Sequence, residues 1–149
     1  MYLIIGASSF IGRYLYDYCR KMNIKVFGTY HQNSYDKNWI KFDLGQDDLN
    51  AFIHMHLSDE KPEVIIICSA NTSIDQCKNY EAESYQLNVL NTQRLIAQAQ
   101  SMKIKIVFLS SESVFDGYKG LYDESDLPNP VTIKKKKKLQ VEEYIMQNI

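Results

Sequence analysis

A glycine-bounded turn between two different hydrophobic patterns is the feature that most constrains the fold of this 149-residue chain. Before the turn, the apolar run from Tyr2 to Ile5 is typical of a buried strand. Gly6 and Gly12 bound the turn itself. Beyond it, apolar residues recur at helical spacing, at Ile11, Leu15, Tyr18, Cys19 and Met22. The pattern predicts a strand, a tight turn and an amphipathic helix.

Strands and helices alternate along the rest of the chain. Apolar or β-branched runs predict further strands at 25–30, 39–42, 64–67 and 104–109. Periodic segments predict three helices. The first begins after an Asp47 N-cap and continues to Leu57, and the other two span 81–102 and 134–146. This alternation indicates an α/β fold with a parallel sheet. We expect a Rossmann-type, doubly wound sheet of about five strands in the order 3-2-1-4-5.

The turn is a candidate phosphate-binding site. A helix N-terminus presents free N–H groups and the positive end of its dipole to a pyrophosphate. Two glycines six apart are weak evidence alone, and the position of the turn between a first strand and a helix is what supports the assignment. We expect the segments 6–12, 69–72 and 110–117 to surround one crevice at the carboxyl ends of the strands. The cofactor-binding candidates in the turn are Gly6, Ser8, Ser9, Phe10, Ile11 and Gly12.

The end of the second predicted strand bears on which cofactor binds there. An acid at this position bonds the ribose 2′-OH of NAD, whereas its absence with a basic residue nearby admits the 2′-phosphate of NADP. The segment 28–34 has neither an acid nor Arg or Lys. Tyr30 and His31 are the cofactor-binding candidates, and NADP(H) is favoured over NAD(H). An exposed loop position for His31 is an equal alternative.

Composition and charge exclude several classes of function. The formal net charge of −1 gives no pull toward nucleic acid or an anionic membrane. The lysine run 134–138 lacks interleaved aromatic residues, so we interpret it as a solvated helix face. His54 and His56 face different directions on a helix, and no metal site is predicted. An odd number of cysteines, without a signal peptide or a membrane-length apolar run, favours a cytoplasmic protein.

Four segments together resemble a known family. They are Gly6 to Gly12, Leu87-Asn88-Val89, Leu109 to Gly117 with its Val-Phe-Asp-Gly stretch, and Pro128-Asn129-Pro130. This set resembles the extended short-chain dehydrogenase/reductase family, in particular the dTDP-4-dehydrorhamnose reductases. It is also similar to the regulatory subunit of methionine adenosyltransferase, which has the same core but does not catalyse the main reaction of its complex. The likeness covers nearly the whole chain and implies an NAD(P)-binding domain over residues 1–149.

The resemblance also implies further residues of the cofactor and substrate crevice. Asp43 and Leu44, after the third strand, match the pair that contacts adenine, although an Asp there also suits the start of a turn. Ser69, Ala70 and Asn71 follow the fourth strand, where family members line the crevice.

The implied catalytic set is incomplete in this chain. In the family, a Tyr donates a proton to the carbonyl oxygen as hydride arrives, a Ser orients that oxygen, and a Lys lowers the pKa of the Tyr and holds the ribose. Ser111 matches the Ser, Lys138 the Lys, and Asn88 an Asn that supports the Lys through water. Lys134 stands at the Tyr position, and no Tyr elsewhere stands four residues before a Lys.

Two functional hypotheses follow. The first is an NADP(H)-dependent nucleotide-sugar oxidoreductase of the dTDP-4-dehydrorhamnose reductase type, impaired by Lys134. The second is a non-catalytic cofactor-binding or regulatory module that acts through a protein partner. Because the family continues beyond the length of this chain, we expect it to be truncated, with the substrate-binding domain absent. An exposed flank at the missing strands would favour a homo-oligomer.

Overall fold

The computed structural model describes residues 1–69 and 81–148, with only the backbone described at positions 133 and 134. The strands are β1 (Tyr2–Ile5), β2 (Val26–Tyr30), β3 (Ile40–Lys41), β4 (Val64–Ile67) and β5 (Lys105–Phe108). The α-helices are α1 (Phe10–Lys21), α2 (Leu49–His56), α3 (Glu81–Tyr85), α4 (Thr92–Ser101) and α5 (Ile133–Asn148). A π-helical segment, Gln86–Asn91, joins α3 to α4, and a 3-10 turn spans Glu112–Val114.

The five strands form one parallel sheet in the order β3-β2-β1-β4-β5, which confirms the predicted Rossmann-type topology. β1 lies between β2 and β4, with Ile4 opposite Gly28 on one side and Ile66 on the other. The most deeply buried apolar residues of these central strands are Leu3, Ile4, Ile5, Ile65 and Ile67. Each large apolar side chain buried in this way stabilises the fold by about 1.5–3 kcal/mol.

The chain divides into two compact units. The sheet unit contains the described residues 1–69 and 94–109, with all five strands, α1 and α2. The α5 unit contains residues 81–93 and 110–148. In the α5 unit, α5 packs against the π-helical segment and against the 3-10 turn. Val89, Val114 and Val141 are its buried apolar residues.

The helix α1 forms where the sequence predicts it, but it buries a different face. Gly12, Tyr16 and Cys19 are buried, whereas about half or more of Ile11, Tyr18 and Met22 is exposed. The phase of the helix is set at its first turn, where only glycine fits position 12. A Cβ on Gly12 would lie 2.3 Å from the carbonyl oxygen of Gly6. Residues four and seven positions beyond Gly12 therefore share its face.

The N-cap of α2 is Asp48 rather than the predicted Asp47. The Oδ1 atom of Asp48 accepts a hydrogen bond from the Ala51 N–H at 3.0 Å, three residues on, as an N-cap does. The Asp47 carboxylate instead accepts from the Asp43 N–H at 2.7 Å. Both carboxylates satisfy backbone donors, and the helix starts one residue later than expected.

The predicted long helix over 81–102 is not a regular α-helix. The π-helical segment interrupts it, and the Thr92 hydroxyl donates to the Leu87 carbonyl, five residues earlier, at 3.2 Å. Such π-helical insertions often lie at functional sites. Within the ranges 1–69 and 81–148, no helix is long and apolar enough to cross a bilayer.

Candidate functional site

The glycine-bounded turn brings the ends of β1 and β4 together in the sheet unit. Gly6 has φ +83°, in the left-handed region that favours glycine. A Cβ on Gly6 would lie 2.7 Å from the backbone nitrogen of Ser69, just after β4. The turn closes with a 3.0 Å hydrogen bond from the Ser9 N–H to the Gly6 carbonyl. Position 6 therefore requires glycine for both conformation and space.

The first turn of α1 presents backbone N–H groups and no acidic side chain. Ser9 is the N-cap, and its Oγ accepts from the Gly12 N–H at 3.1 Å. The N–H groups of Phe10 and Ile11 have no intrahelical acceptor, because they belong to the first turn. No acidic residue lies in this turn, while Arg20 and Lys21 occupy the last one. The free N–H groups and the helix dipole both favour a pyrophosphate here.

Thr29 supports the turn from β2, and sequence reasoning missed it. Its side chain is buried, and its Oγ1 accepts from the Gly6 N–H at 3.0 Å. The same hydroxyl donates to the Ile4 carbonyl at 3.3 Å. Thr29 thus ties the start of the turn to the neighbouring strand. The sequence signal for Thr29 was a hydroxyl residue inside an otherwise apolar strand, but this signal does not identify the Gly6 N–H as its hydrogen-bond partner.

Ser69 lies beside the turn with a buried hydroxyl. Among the described residues, the Ser69 Oγ has no hydrogen-bond partner. A buried hydroxyl that makes no hydrogen bond costs about 1–3 kcal/mol, and a polar ligand at the turn would remove this cost. Together with the close approach of Gly6, this hydroxyl fits a nucleotide cofactor. The predicted candidates Ala70 and Asn71 lie outside the described residues.

A carboxylate reaches the end of β2 from another part of the sheet unit. The His31 Nε2 lies 3.4 Å from the Asp43 Oδ2. Tyr30, the residue before His31, is half-buried. The Asp43 Oδ1 accepts from the Gly45 N–H at 2.8 Å, so Asp43 also begins a turn. The sequence window at the end of β2 contains no acid, yet the fold supplies one from the end of β3.

Asp43 also lines a cleft of about 560 Å³ between the end of β3 and α2. Apolar Phe52 and Met55 and polar Lys41 and His56 contribute to its wall. Leu44, the second member of the predicted adenine-contacting pair, is buried instead. The cleft therefore offers the side chain of Asp43, but not that of Leu44, to a ligand.

Ser111 lies in the α5 unit as the N-cap of the 3-10 turn. Its Oγ accepts from the Ser113 N–H at 3.2 Å and lies 3.0 Å from the Ser113 Oγ. The preceding Ser110 donates to Glu142 on α5. These bonds hold the segment after β5 in a defined conformation and connect it to α5.

Asn88 and Lys138 lie on elements that pack together in the α5 unit. Asn88 belongs to the π-helical segment, and Lys138 belongs to α5, which contacts that segment. The Asn88 Nδ2 donates to the Ser84 Oγ at 3.4 Å. Lys134 lies in the first turn of α5. The α5 unit thus contains all three residues matched to the catalytic set and the Lys at the Tyr position.

The interpretation of the lysine run as a uniformly solvated face is wrong at Lys137. This side chain is only 3% exposed. Its Nζ donates to the Glu81 carbonyl at 3.2 Å and to the Ser84 Oγ at 3.1 Å. The neighbouring Lys136 is exposed, as expected. Because α5 packs on the π-helical segment, one position of the run must face inward, and the local sequence of identical residues cannot indicate which one.

The Val-Phe-Asp-Gly and Pro-Asn-Pro stretches are joined through Asp116. Its carboxylate accepts from the Tyr122 hydroxyl at 2.5 Å and from the Asn129 side-chain amide at 3.0 Å. The Tyr118 N–H donates to it at 3.0 Å, and the Phe115 ring stacks on Tyr122. These hydrogen bonds, that of Tyr122 above all, hold the pKa of Asp116 below its usual range. Sequence reasoning missed Tyr122, which closes this loop.

Residues 1–149 match the protein family described as "RmlD substrate binding domain". Methionine adenosyltransferase 2 subunit beta of Bos taurus is 31% identical over 147 residues, which are 98% of this chain and 42% of that protein. A dTDP-4-dehydrorhamnose reductase of Aggregatibacter actinomycetemcomitans is 37% identical over 87 residues, 58% of this chain and 30% of the reductase. The chain therefore spans less than half the length of these relatives.

Solved structures of similar proteins share this fold. A hypothetical dTDP-4-dehydrorhamnose reductase from Sulfolobus tokodaii has a TM-score of 0.80 and 28% identity, with 97% of this chain and 51% of that one covered. MoeE5 in complex with UDP-glucose and NAD has a TM-score of 0.85 and 25% identity, with 98% and 48% covered. A Bacillus anthracis dTDP-4-dehydrorhamnose reductase in complex with NADP, at 22% identity and a TM-score of 0.77, shows the fold alone, with 99% and 49% covered. The resemblance inferred from the motifs is confirmed.

Proposed function

The chain belongs to the RmlD substrate binding domain family, and from this premise we propose that it binds NADP(H) as part of a nucleotide-sugar oxidoreductase of the dTDP-4-dehydrorhamnose reductase type. One observation carries the proposal. The turn from Gly6 to Gly12 leads into two first-turn amides of α1, and at Gly6 it lies against Ser69, whose hydroxyl has no hydrogen-bond partner among the described residues. This is a site for a pyrophosphate at the end of a central parallel strand.

The residues of the sheet unit would hold the cofactor. Phe10 and Ile11 would donate their backbone N–H groups to the pyrophosphate, since first-turn N–H groups have no intrahelical acceptor. Ser8 and Ser9 flank these donors, and Tyr30 and His31 would contact the adenosine end. Selectivity for NADP(H) over NAD(H) remains part of the proposal. It rests on the absence of an acid from β2 itself, and it requires that Asp43, which lies beside His31, does not bond the ribose 2′-OH in place of such an acid.

The residues of the α5 unit would act on the substrate. When bound, the nicotinamide supplies hydride to a carbonyl carbon. Ser111 would orient the carbonyl oxygen, Lys138 would hold the ribose and Asn88 would support Lys138. Lys134 stands where the family has its proton-donating Tyr, among neighbouring lysines that compete for the same hydration. We therefore expect slow carbonyl reduction by this chain, with a 4-keto nucleotide sugar as the substrate.

A second candidate function is a non-catalytic module that binds the cofactor and acts through a protein partner or a second copy of this chain. Lys134 at the Tyr position favours it, since the remaining candidate residues can bind and orient but lack the usual proton donor. The similarity to a subunit named methionine adenosyltransferase 2 subunit beta also supports it. Either function is consistent with a cytoplasmic location, where the thiol of Cys19 would stay reduced.

Calorimetric titration of the purified chain with NADPH and with NADH tests the proposal, followed by an assay of NADPH oxidation with dTDP-4-dehydrorhamnose. We expect micromolar binding with a preference for NADPH. Oxidation would support the enzyme, whereas binding without oxidation would support the cofactor-binding module. If neither nucleotide binds, the proposed cofactor site is refuted.

A further inference from the structure

One arginine of the sheet unit lies between the first turn of α1 and the segment that follows β2. Arg13 comes directly after Gly12, and its backbone N–H donates to the Ser9 carbonyl at 3.0 Å. Its guanidinium carbon lies 4.6 Å from the centre of the Tyr35 ring. Tyr35 belongs to the segment 31–39, which joins β2 to β3. The guanidinium is therefore placed between the turn proposed for the pyrophosphate and the segment proposed for the adenosine end.

The Tyr35 ring is itself held in place by packing within the sheet unit. It meets the Trp39 ring edge to face, with 6.3 Å between the ring centres and 83° between the planes. Trp39 is buried and packs in turn against Tyr16 of α1, with 5.4 Å between the ring centres. A Cβ on Gly28 of β2 would lie 2.7 Å from the Trp39 indole, so the indole also rests closely on β2. The support beneath Arg13 thus comes from α1 and β2, the two elements that border the proposed site.

The guanidinium of Arg13 keeps its hydrogen-bond donors available. A guanidinium has five N–H donors in its own plane, and stacking on an aromatic ring uses only its face. In the described part of the chain, no carboxylate lies within ion-pair distance of Arg13, not even that of Asp17 one helical turn on. The guanidinium of Arg94 differs, since it donates to the carbonyls of Gly45 and Asp47. Arg13 is therefore positioned through its face, while its edge can bind an anion.

We propose that Arg13 binds the adenosine 2′-phosphate of NADP(H) and thereby sets the preference for NADP(H) over NAD(H). The inference rests on the proposed function, and it identifies the cation that the end of β2 lacks. In a Rossmann fold, the adenosine ribose lies between the pyrophosphate turn and the end of the second strand, where a nearby arginine accommodates a 2′-phosphate. A planar guanidinium binds two phosphate oxygens at once, which a lysine ammonium does not do.

Other charged groups near the end of β2 suit a phosphate less well. His31 lies 3.4 Å from the Asp43 carboxylate, which would repel a second anion. Lys41 lines a cleft whose wall includes three aspartates. Lys37 is exposed in the segment 31–39, and in the described part of the chain no aromatic ring lies beneath its ammonium. Arg13, by contrast, combines a position fixed by a ring with donors that face no carboxylate.

The test compares Arg13→Met with Arg20→Met, a matched control that removes the same charge from another exposed position of α1. Calorimetry gives the dissociation constants for NADPH and NADH, which differ only in the 2′-phosphate. We expect Arg13→Met to weaken NADPH binding about tenfold to hundredfold, the effect of losing a charge-assisted contact, and to change NADH binding by less than about twofold. Arg20→Met should leave both constants within about twofold, because it lies about 10 Å further along the helix, where salt screens its charge.

Phosphorus nuclear magnetic resonance adds a readout besides affinity. A cation beside the 2′-phosphate favours its doubly charged form, so the pKa of this phosphate in bound NADP⁺ should lie below that in free NADP⁺. The lowered pKa should persist in Arg20→Met and return toward the free value in Arg13→Met. Tyr35→Leu, which removes the ring beneath the guanidinium, should weaken NADPH binding in the same direction, whereas Tyr35→Phe keeps the ring and should not.

Several outcomes would overturn the inference. They are equal losses for NADPH and NADH in Arg13→Met, no loss for either, or a loss of discrimination in Lys37→Met instead. In each of these cases, NADH binding by the wild-type chain would leave the proposed cofactor site standing. If the wild-type chain binds neither nucleotide, the proposed function and the inference are both refuted.

Discussion

Replacing Ile11 with glutamate should separate cofactor binding from stability at the first turn of α1. The new carboxylate would lie near the site proposed for the pyrophosphate, which carries two negative charges. At about 6 Å, the repulsion is about 1.4 kcal/mol at the dielectric constant of water and about 2.8 kcal/mol at half that value. The dissociation constant for NADPH should therefore rise roughly tenfold to hundredfold.

The same substitution should leave the fold intact. A carboxylate in the first turn of a helix gains about 0.3–1 kcal/mol from the helix dipole, and this gain offsets the packing lost from a half-exposed isoleucine. The free energy of unfolding in urea should change by less than about 1 kcal/mol. Loss of binding without loss of stability is the expected signature of an anion site.

Two controls isolate the charge in this experiment. Ile11→Gln has nearly the same shape as Ile11→Glu without its charge, and Tyr18→Glu adds the charge at an exposed position about 10 Å along α1. Both should bind NADPH within about twofold of the wild-type chain at physiological salt, because the charge is absent in one and screened over that distance in the other. Equal affinities of Ile11→Glu and Ile11→Gln would refute the assignment of the pyrophosphate to this turn.

Three further predictions follow from the structure. Thr29→Val should lower the free energy of unfolding by about 1–3 kcal/mol, because the part-buried Gly6 N–H loses its acceptor; urea titration beside Thr29→Ser, which keeps the hydroxyl, checks this. Because the pKa of Asp116 is lowered, its stabilisation of the loop is complete above the unfolded pKa of about 4 and is lost as the pH falls through the folded pKa. The Tyr122 ring signals should therefore change only below about pH 4, and an unchanged acid transition in Asp116→Asn would contradict this. Lys134→Tyr should raise NADPH oxidation by about 100-fold or more if the proton donor alone is missing, as measured by initial rates, and an unaltered rate would favour the non-catalytic module.

The sequence by itself determined the order of elements and the topology of the sheet. The apolar runs before Gly6 and at Val64–Ile67 are strands because a continuous β-branched or apolar segment suits the covered interior of a parallel sheet. The turn from Gly6 to Gly12 could also be predicted from the sequence, because it depends on glycine at these two positions. These features rest on neighbours in the chain, and the pattern of residue types was sufficient to predict them.

Only the tertiary structure decided which side chains meet. Five consecutive lysines carry no periodic signal, so the burial of Lys137 depends on which face α5 turns toward the π-helical segment. The acid beside His31 comes from Asp43, twelve residues away, and the acceptor for the Gly6 N–H comes from Thr29 on a neighbouring strand. Such contacts depend on the register and rotation of packed elements, which no local pattern specifies. The sequence thus indicated where the candidate site lies, and the packing of its elements set the polar contacts around it.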